Sequence, residues 1–135
     1  LHSDGGRVAF GLADGVDQQT FSEAVSAGRV EEVIRFFPVQ RGDLVFSPPG
    51  TVHALCAGVV IYEVQQSSDL TFRIYDYDRP GLDGKPRELH LQQALDVINF
   101  TEPLPSPQPW STLPGASEEG CVLVDCEHFY TRQLL

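Results

Sequence analysis

The stretch GDLVFSPPGTVHAL, residues 42–55, constrains the fold more than any other part of the chain. A Gly-Asp pair leads into an apolar run, Pro48-Pro49-Gly50 stops it, and His53 follows among Val52, Ala54 and Leu55. Each step of the spacing has a physical reading. Gly42 permits a tight turn into a strand, Pro48 and Gly50 fix a turn at its end, and the next strand begins with a titratable imidazole. An imidazole in an apolar strand has two ordinary explanations, a core ring satisfied by a backbone carbonyl or a metal ligand. The first is commoner for a histidine taken at random.

The flanking sequence predicts short strands around a small helical insertion. RVAFGL (residues 7–12) reads as a strand ending at a glycine. In the following segment Thr20 and Glu23 make a capping box, Phe21, Ala24 and Val25 share one helical face, and Gly28 closes the helix. A second helical turn is expected over residues 30–36, ending before Pro38, so the insertion spans about residues 17–37. DLVFS, HALCAGVVIYEVQQ and LTFRIYDYD then read as strands. Short strands with Gly/Pro turns imply an antiparallel β-barrel or sandwich. LHLQQALDVINF has helical spacing at Leu89, Leu91, Leu95 and Ile98. Five of the ten prolines fall within residues 103–114, which marks residues 101–120 as a linker; residues 121–135 look like the opening strands of a second unit.

Composition excludes several classes. The chain has 135 residues, enough for one modest core, and its net charge of −10 with no Lys/Arg run argues against nucleic acid and acidic membranes as partners. No window approaches a membrane-spanning length, and the first residues lack the order of a signal peptide. Three cysteines, Cys56, Cys121 and Cys126, form neither an even framework nor a Cys-x-x-Cys pair, which points to a reducing, cytoplasmic compartment. Cys121 and Cys126, an odd separation apart on a strand, are expected to face opposite ways and stay unbridged. The sequence contains no methionine, as expected of a processed, trimmed or partial chain.

The Gly42 to His53 spacing resembles the second motif of the cupin superfamily, whose histidine is a metal ligand; that motif ends on Asn, where Ala57 stands here. PPGTVHALCAGVVIYEVQQSSDLTFRIYDYDR with GKPRELHLQQALDVI, and upstream GLADGVDQQTFSEAVSAGRVEEVI, resemble type I mannose-6-phosphate isomerase in its short bacterial form, over roughly residues 7–100 and weakly after Cys121. The resemblance implies a mainly β, cupin-like jelly roll whose catalytic core takes in residues 1–100, with a second cupin-like domain beginning at residue 121. It implies a zinc-assisted exchange of mannose 6-phosphate with fructose 6-phosphate through an enediol. His53 takes the place of the family's C-terminal zinc ligand and Arg73 that of its active-site arginine. Arg79 falls on a phosphate-facing basic position, and Glu63 on a carboxylate lining the same pocket.

The residues themselves agree in part. On an extended strand Arg73, Tyr75, Tyr77 and Arg79 leave one face, and guanidinium forks with aromatic rings suit a sugar phosphate. The plainer alternative is a solvated face in which Arg73 and Arg79 pair with Asp76, Asp78 or Asp69. Lys85 and Arg87 read as solvated loop residues, His90 as a surface or packing residue, and His2 and His128 carry no motif. A zinc site needs three protein ligands, and the upstream His-Pro and Gly-Lys-Thr-Glu segments that supply the others in the family are not in this sequence. The chain is therefore expected to be an incomplete portion with an incomplete zinc site. Two further readings stand beside the isomerase: a noncatalytic cupin-like module that binds a sugar or a partner, and a domain that self-associates through open strand edges.

Overall fold

The computed structural model describes residues 5–68, 70–77, 79–81, 83–101, 104 and 106–134. His2, Asp69 and Asp78, considered above, lie outside them. In chain order the elements are β1 (Arg7–Leu12), α1 (Gln18–Ser26), β2 (Ile34–Pro38), β3 (Asp43–Leu44), β4 (His53–Leu55), α2 (Leu91–Val97), β5 (Gln108–Pro109), β6 (Gly120–Asp125) and β7 (Tyr130–Leu134). Short 3₁₀ turns occupy Val30–Val33 and Trp110–Thr112. The described residues form a mainly β fold with two α-helices, as the sequence predicts, in three small antiparallel sheets ordered β2-β1-β4, β3-β5 and β6-β7.

β1 is the central strand of the first sheet. Val8, Ala9, Phe10 and Gly11 are buried in succession, because a strand paired on both edges and covered on both faces need not alternate. Its pairing with β2 is irregular between Ala9 and Leu12, where the ladder bends, and the Gly11 N–H turns to the Val52 carbonyl at 2.8 Å. That bond ties the strand to the Gly42–His53 motif.

The helical insertion differs from expectation at both ends. Asp17 caps α1, its Oδ1 accepting from the Thr20 N–H at 2.8 Å, so Thr20 sits inside the first turn. The expected second turn of helix stops at Val33, and residues from Ile34 are strand. Ile34, Phe36 and Phe37 are β-branched or aromatic, and pairing with β1 outweighs their local helical spacing. Phe21 and Ala24 of α1 are buried with Val30, Val33 and Val52, and Leu91 and Leu95 of α2, with Ile98 just past its end, pack against this cluster. Phe21 meets Phe100 edge-on with ring centroids 6.0 Å apart. Leu89, expected on the same helical face, precedes α2 and is exposed.

The strands after Gly42 are shorter than the sequence suggests. DLVFS makes a ladder only at Asp43–Leu44, since Pro48 and Pro49 have no N–H with which to continue one. Its partner is β5, inside the proline-rich segment, and the Trp110 N–H donates to the Gly42 carbonyl at 3.0 Å. At Gly50 φ is +78°, and a Cβ would lie 2.5 Å from the Val97 carbonyl oxygen, so the motif's second glycine lets the turn approach the end of α2. β4 ends at Leu55, and residues 60–68 carry no ladder. Residues 70–77 are not a strand either. Tyr77 has φ 53°, a left-handed conformation that extended pairing does not accommodate, and Asp76 turns inward onto arginine side chains. No helix among the described residues is long and apolar enough to cross a membrane.

Candidate active site

His53 opens β4 opposite Phe10, with its side chain exposed while Val52 before it enters the core. Its Nδ1 lies 2.9 Å from the Thr51 carbonyl oxygen. A carbonyl can only accept, so Nδ1 carries a hydrogen and donates it. A neutral imidazole held this way at Nδ1 has Nε2 as its remaining acceptor.

Asp76 is the buried charged residue among those described, and three guanidinium groups converge on its carboxylate. Arg87 takes both oxygens, with Nε on Oδ2 at 2.5 Å and Nη2 on Oδ1. Arg79 donates from Nη2 to Oδ1 at 3.2 Å and from Nε to the Asp76 backbone carbonyl at 3.3 Å. Arg73 places Nε 3.7 Å from Oδ1 and donates from Nη1 to the Glu88 carbonyl at 3.2 Å. Three positive charges around one negative charge leave the cluster with an excess of two, suited to an anion. The hydrogen bond from Arg87 holds the Asp76 carboxyl below the ordinary carboxylate range; burial pushes the other way, and the charges of Arg87 and Arg79 add to the lowering.

Two tyrosines border this cluster. The Tyr75 and Tyr77 rings stand 4.7 Å apart at 62°, and the Arg79 guanidinium lies 5.9 Å from the Tyr77 ring centre. Burial pushes the Tyr77 phenol up. Strand alternation does not gather these groups: Arg73 and Arg79 pair with Asp76, as the plainer alternative had it, in a local coil that also carries the two rings.

The backbone of Arg73 is fixed as firmly as its side chain. Its N–H donates to His90 Nδ1 at 3.2 Å, and the His90 N–H donates to the Arg73 carbonyl at 2.7 Å. His90 in turn packs edge-on against Phe72, with centroids 6.3 Å apart.

Glu63 lies in the segment after β4 that carries no ladder, and it is exposed without a hydrogen bond or ion pair among the described residues. No hydrogen bond or ion pair among those residues joins His53 or Glu63 to the Asp76 cluster. A surface cleft between α1 and α2 is lined by Gln18, Gln19, Ser22, Glu23, Gln92 and Leu95, and includes none of these candidates. The described residues do not fit a complete zinc site, for no group of three or more His, Cys, Asp or Glu is placed to hold a metal ion.

The chain is 34% identical over 126 residues to the mannose-6-phosphate isomerase of Streptococcus mutans, an alignment covering 93% of this chain and 39% of that protein. It is 42% identical over 81 residues to the mannose-6-phosphate isomerase ManA of Bacillus subtilis, covering 60% of this chain and 26% of that protein. The crystal structure of mannose 6-phosphate isomerase from Bacillus subtilis superposes with a TM-score of 0.81 at 26% identity, covering 98% of this chain and 42% of that one. Sequence and fold both match part of mannose-6-phosphate isomerase. No protein-family model matches the chain. The chain therefore spans less than half the length of each mannose-6-phosphate isomerase named here.

The cluster has members that the sequence alone did not single out. Arg87 reads as a solvated loop residue and is instead the principal partner of Asp76. His90 reads as a surface or packing residue; it packs on Phe72 and also braces Arg73. The available signal was modest: Asp76 lies between Arg73 and Arg79, and Arg87 and His90 fall together in RELH.

Proposed function

We propose that the chain is the part of an aldose–ketose isomerase that grips a sugar phosphate, and that the complete polypeptide interconverts mannose 6-phosphate and fructose 6-phosphate. The observation that carries this reading is the pair Arg73 and Arg79 held beside one buried carboxylate, in a chain that matches mannose-6-phosphate isomerase over most of its length. The reaction moves a proton between adjacent sugar carbons through an enediol, so negative charge grows on oxygen in the transition state. Arg73, with its backbone and Nη1 fixed, is the group that meets that charge, and Arg79 the one that meets the phosphate. Glu63 is assigned to the sugar hydroxyls or to proton transfer. His53 is assigned as one zinc ligand through Nε2; because the described residues do not complete that site, the other ligands are assigned to sequence outside residues 1–135, and no step is drawn through the metal.

In this reading residues 1–100 belong to the catalytic core, residues 101–120 connect, and residues 121–135 open a second domain. The partner is a small sugar phosphate in the cytoplasm, a setting supported by three free thiols. The test uses the complete polypeptide, its His53→Ala and Arg73→Ala variants, and two readouts, isomerase turnover and zinc stoichiometry. His53→Ala should lose bound zinc. Arg73→Ala should keep zinc and lose about two orders of magnitude or more in turnover, the usual scale for removing a preorganised charge partner. Undiminished turnover in Arg73→Ala removes that residue from the reaction, and a complete polypeptide that binds mannose 6-phosphate without converting it leaves the noncatalytic sugar-binding module.

A further inference from the structure

Asp76 takes no part in the chemistry assigned above, yet it is the residue on which the cluster depends. Arg73 and Arg79 carry like charges, and side chains of that kind in water separate unless something holds them. The buried carboxylate does so, since both reach the same oxygen, Oδ1. Arg87 behaves differently. It occupies both carboxylate oxygens in a bidentate fork and is only about one-third exposed, whereas Arg79 uses one nitrogen on the side chain and remains 64% exposed. A guanidinium has five N–H donors, so Arg73 and Arg79 keep donors to spare after meeting Asp76. Arg87 satisfies the carboxylate, the carboxylate orients the other two, and their unused donors and surplus charge remain for a ligand.

We propose that Asp76 and Arg87 are a positioning pair that holds the Arg73 and Arg79 guanidiniums together as a preformed clamp for a phosphate dianion. The inference rests on the sugar-phosphate reading of Arg73 and Arg79 and deepens it by naming the residues that assemble the clamp. It has a consequence opposite in sign to simple electrostatics. Removing a negative charge beside an anion site should tighten anion binding by Coulomb attraction alone. If the charge instead organises the clamp, removing it weakens binding.

The test measures the affinity of the complete polypeptide for inorganic phosphate by calorimetry, alongside turnover. Asp76→Asn, which preserves shape and removes the charge, should raise the phosphate Kd about tenfold, the scale of one lost charge-assisted contact. Asp76→Glu should recover part of the loss. Arg87→Lys keeps the charge but not the fork and should weaken phosphate several-fold; it serves where Asp76→Asn fails to fold, with circular dichroism as the check. Tighter or unchanged phosphate binding in a folded Asp76→Asn or Arg87→Lys variant overturns the proposal, as does a parent protein with no measurable affinity for phosphate. A protein without isomerase turnover whose phosphate affinities still follow this order would remove the isomerase reading and leave the clamp standing.

Discussion

Arg73 and His90 hold one another through two hydrogen bonds in opposite directions, the Arg73 N–H donating to the His90 ring and the His90 N–H donating to the Arg73 carbonyl. The ring bond requires Nδ1 to be an acceptor, so His90 carries its hydrogen on Nε2. The Nδ1 atoms of His53 and His90 play opposite parts, donating to the Thr51 carbonyl in one and accepting from the Arg73 N–H in the other. Replacing His90 by Leu keeps the bulk and leaves the part-buried Arg73 N–H without its acceptor. Chemical denaturation should show a loss of about 1 kcal/mol, the low end for an unmet donor that water can partly reach. No loss would mean that the ring bond adds nothing to stability.

Asp76 makes stability depend on pH with a definite sign. Its carboxyl is held below the ordinary range chiefly by the hydrogen bond from Arg87, so the folded state binds the proton more weakly than the unfolded one. The contribution is fully present above the ordinary carboxylate pKa of about 3.9 and fades as pH falls through and below that value. Protonation also leaves three arginines without their shared counter-charge. Thermal midpoints recorded from neutral pH down to about pH 3 should fall more steeply for the parent than for Asp76→Asn, which has no carboxyl to protonate. Parallel curves would show that Asp76 does not govern the acid limb.

Gly50 is the motif position least able to change. A Cβ would meet the Val97 carbonyl oxygen at 2.5 Å, against backbone rather than a movable side chain, and φ is +78°. The Gly50 carbonyl also accepts from the Asn99 N–H at 3.0 Å, so displacing the turn breaks a bond to the end of α2. Gly50→Ala should cost more than the ~1 kcal/mol of an unfavourable backbone conformation alone, and denaturant midpoints would measure it. A neutral effect would show that the turn shifts freely away from the helix end.

The cysteines provide a check on compartment and on strand placement. Cys121 is buried at the start of β6, whereas Cys56 and Cys126 are half-buried, and all three are free. A thiol reagent should modify Cys56 and Cys126 in the folded protein and reach Cys121 on unfolding. Non-reducing mass spectrometry that finds a bridged pair would contradict both the placement and the proposal of a reducing compartment.

How far the sequence could be read depended on whether local chemistry or distant pairing decided the outcome. Phe21 and Ala24 were legible as a buried helical face, and Leu91, Leu95 and Ile98 as another, because spacing along one helix fixes both. Residues 34–36 were not, since the strand there exists only because β1 lies beside it. The same holds for DLVFS, whose partner comes from a segment that by composition looks like a bare connector. At the candidate site, Arg73 and Arg79 were legible as companions that could share an aspartate. The inward turn of Asp76 was not, because a left-handed Tyr77 has no signature in residue type alone.

The β3–β5 pairing has a kinetic consequence. It joins Asp43 with Pro109 and Leu44 with Gln108, the widest sequence separation of any ladder among the described residues, and it does so with two residues on each side. Loop-closure entropy grows with the logarithm of the enclosed length, while so short a ladder returns few bonds for that loss. The β6–β7 hairpin encloses only a short turn and can form on the microsecond scale typical of hairpins. The junction between β3 and β5 should therefore be among the last contacts made in folding and among the first to open in the native ensemble. Amide hydrogens there would exchange with solvent well ahead of those in β1, so the proline-rich segment detaches from the head of the His53 motif while the central strand stays closed.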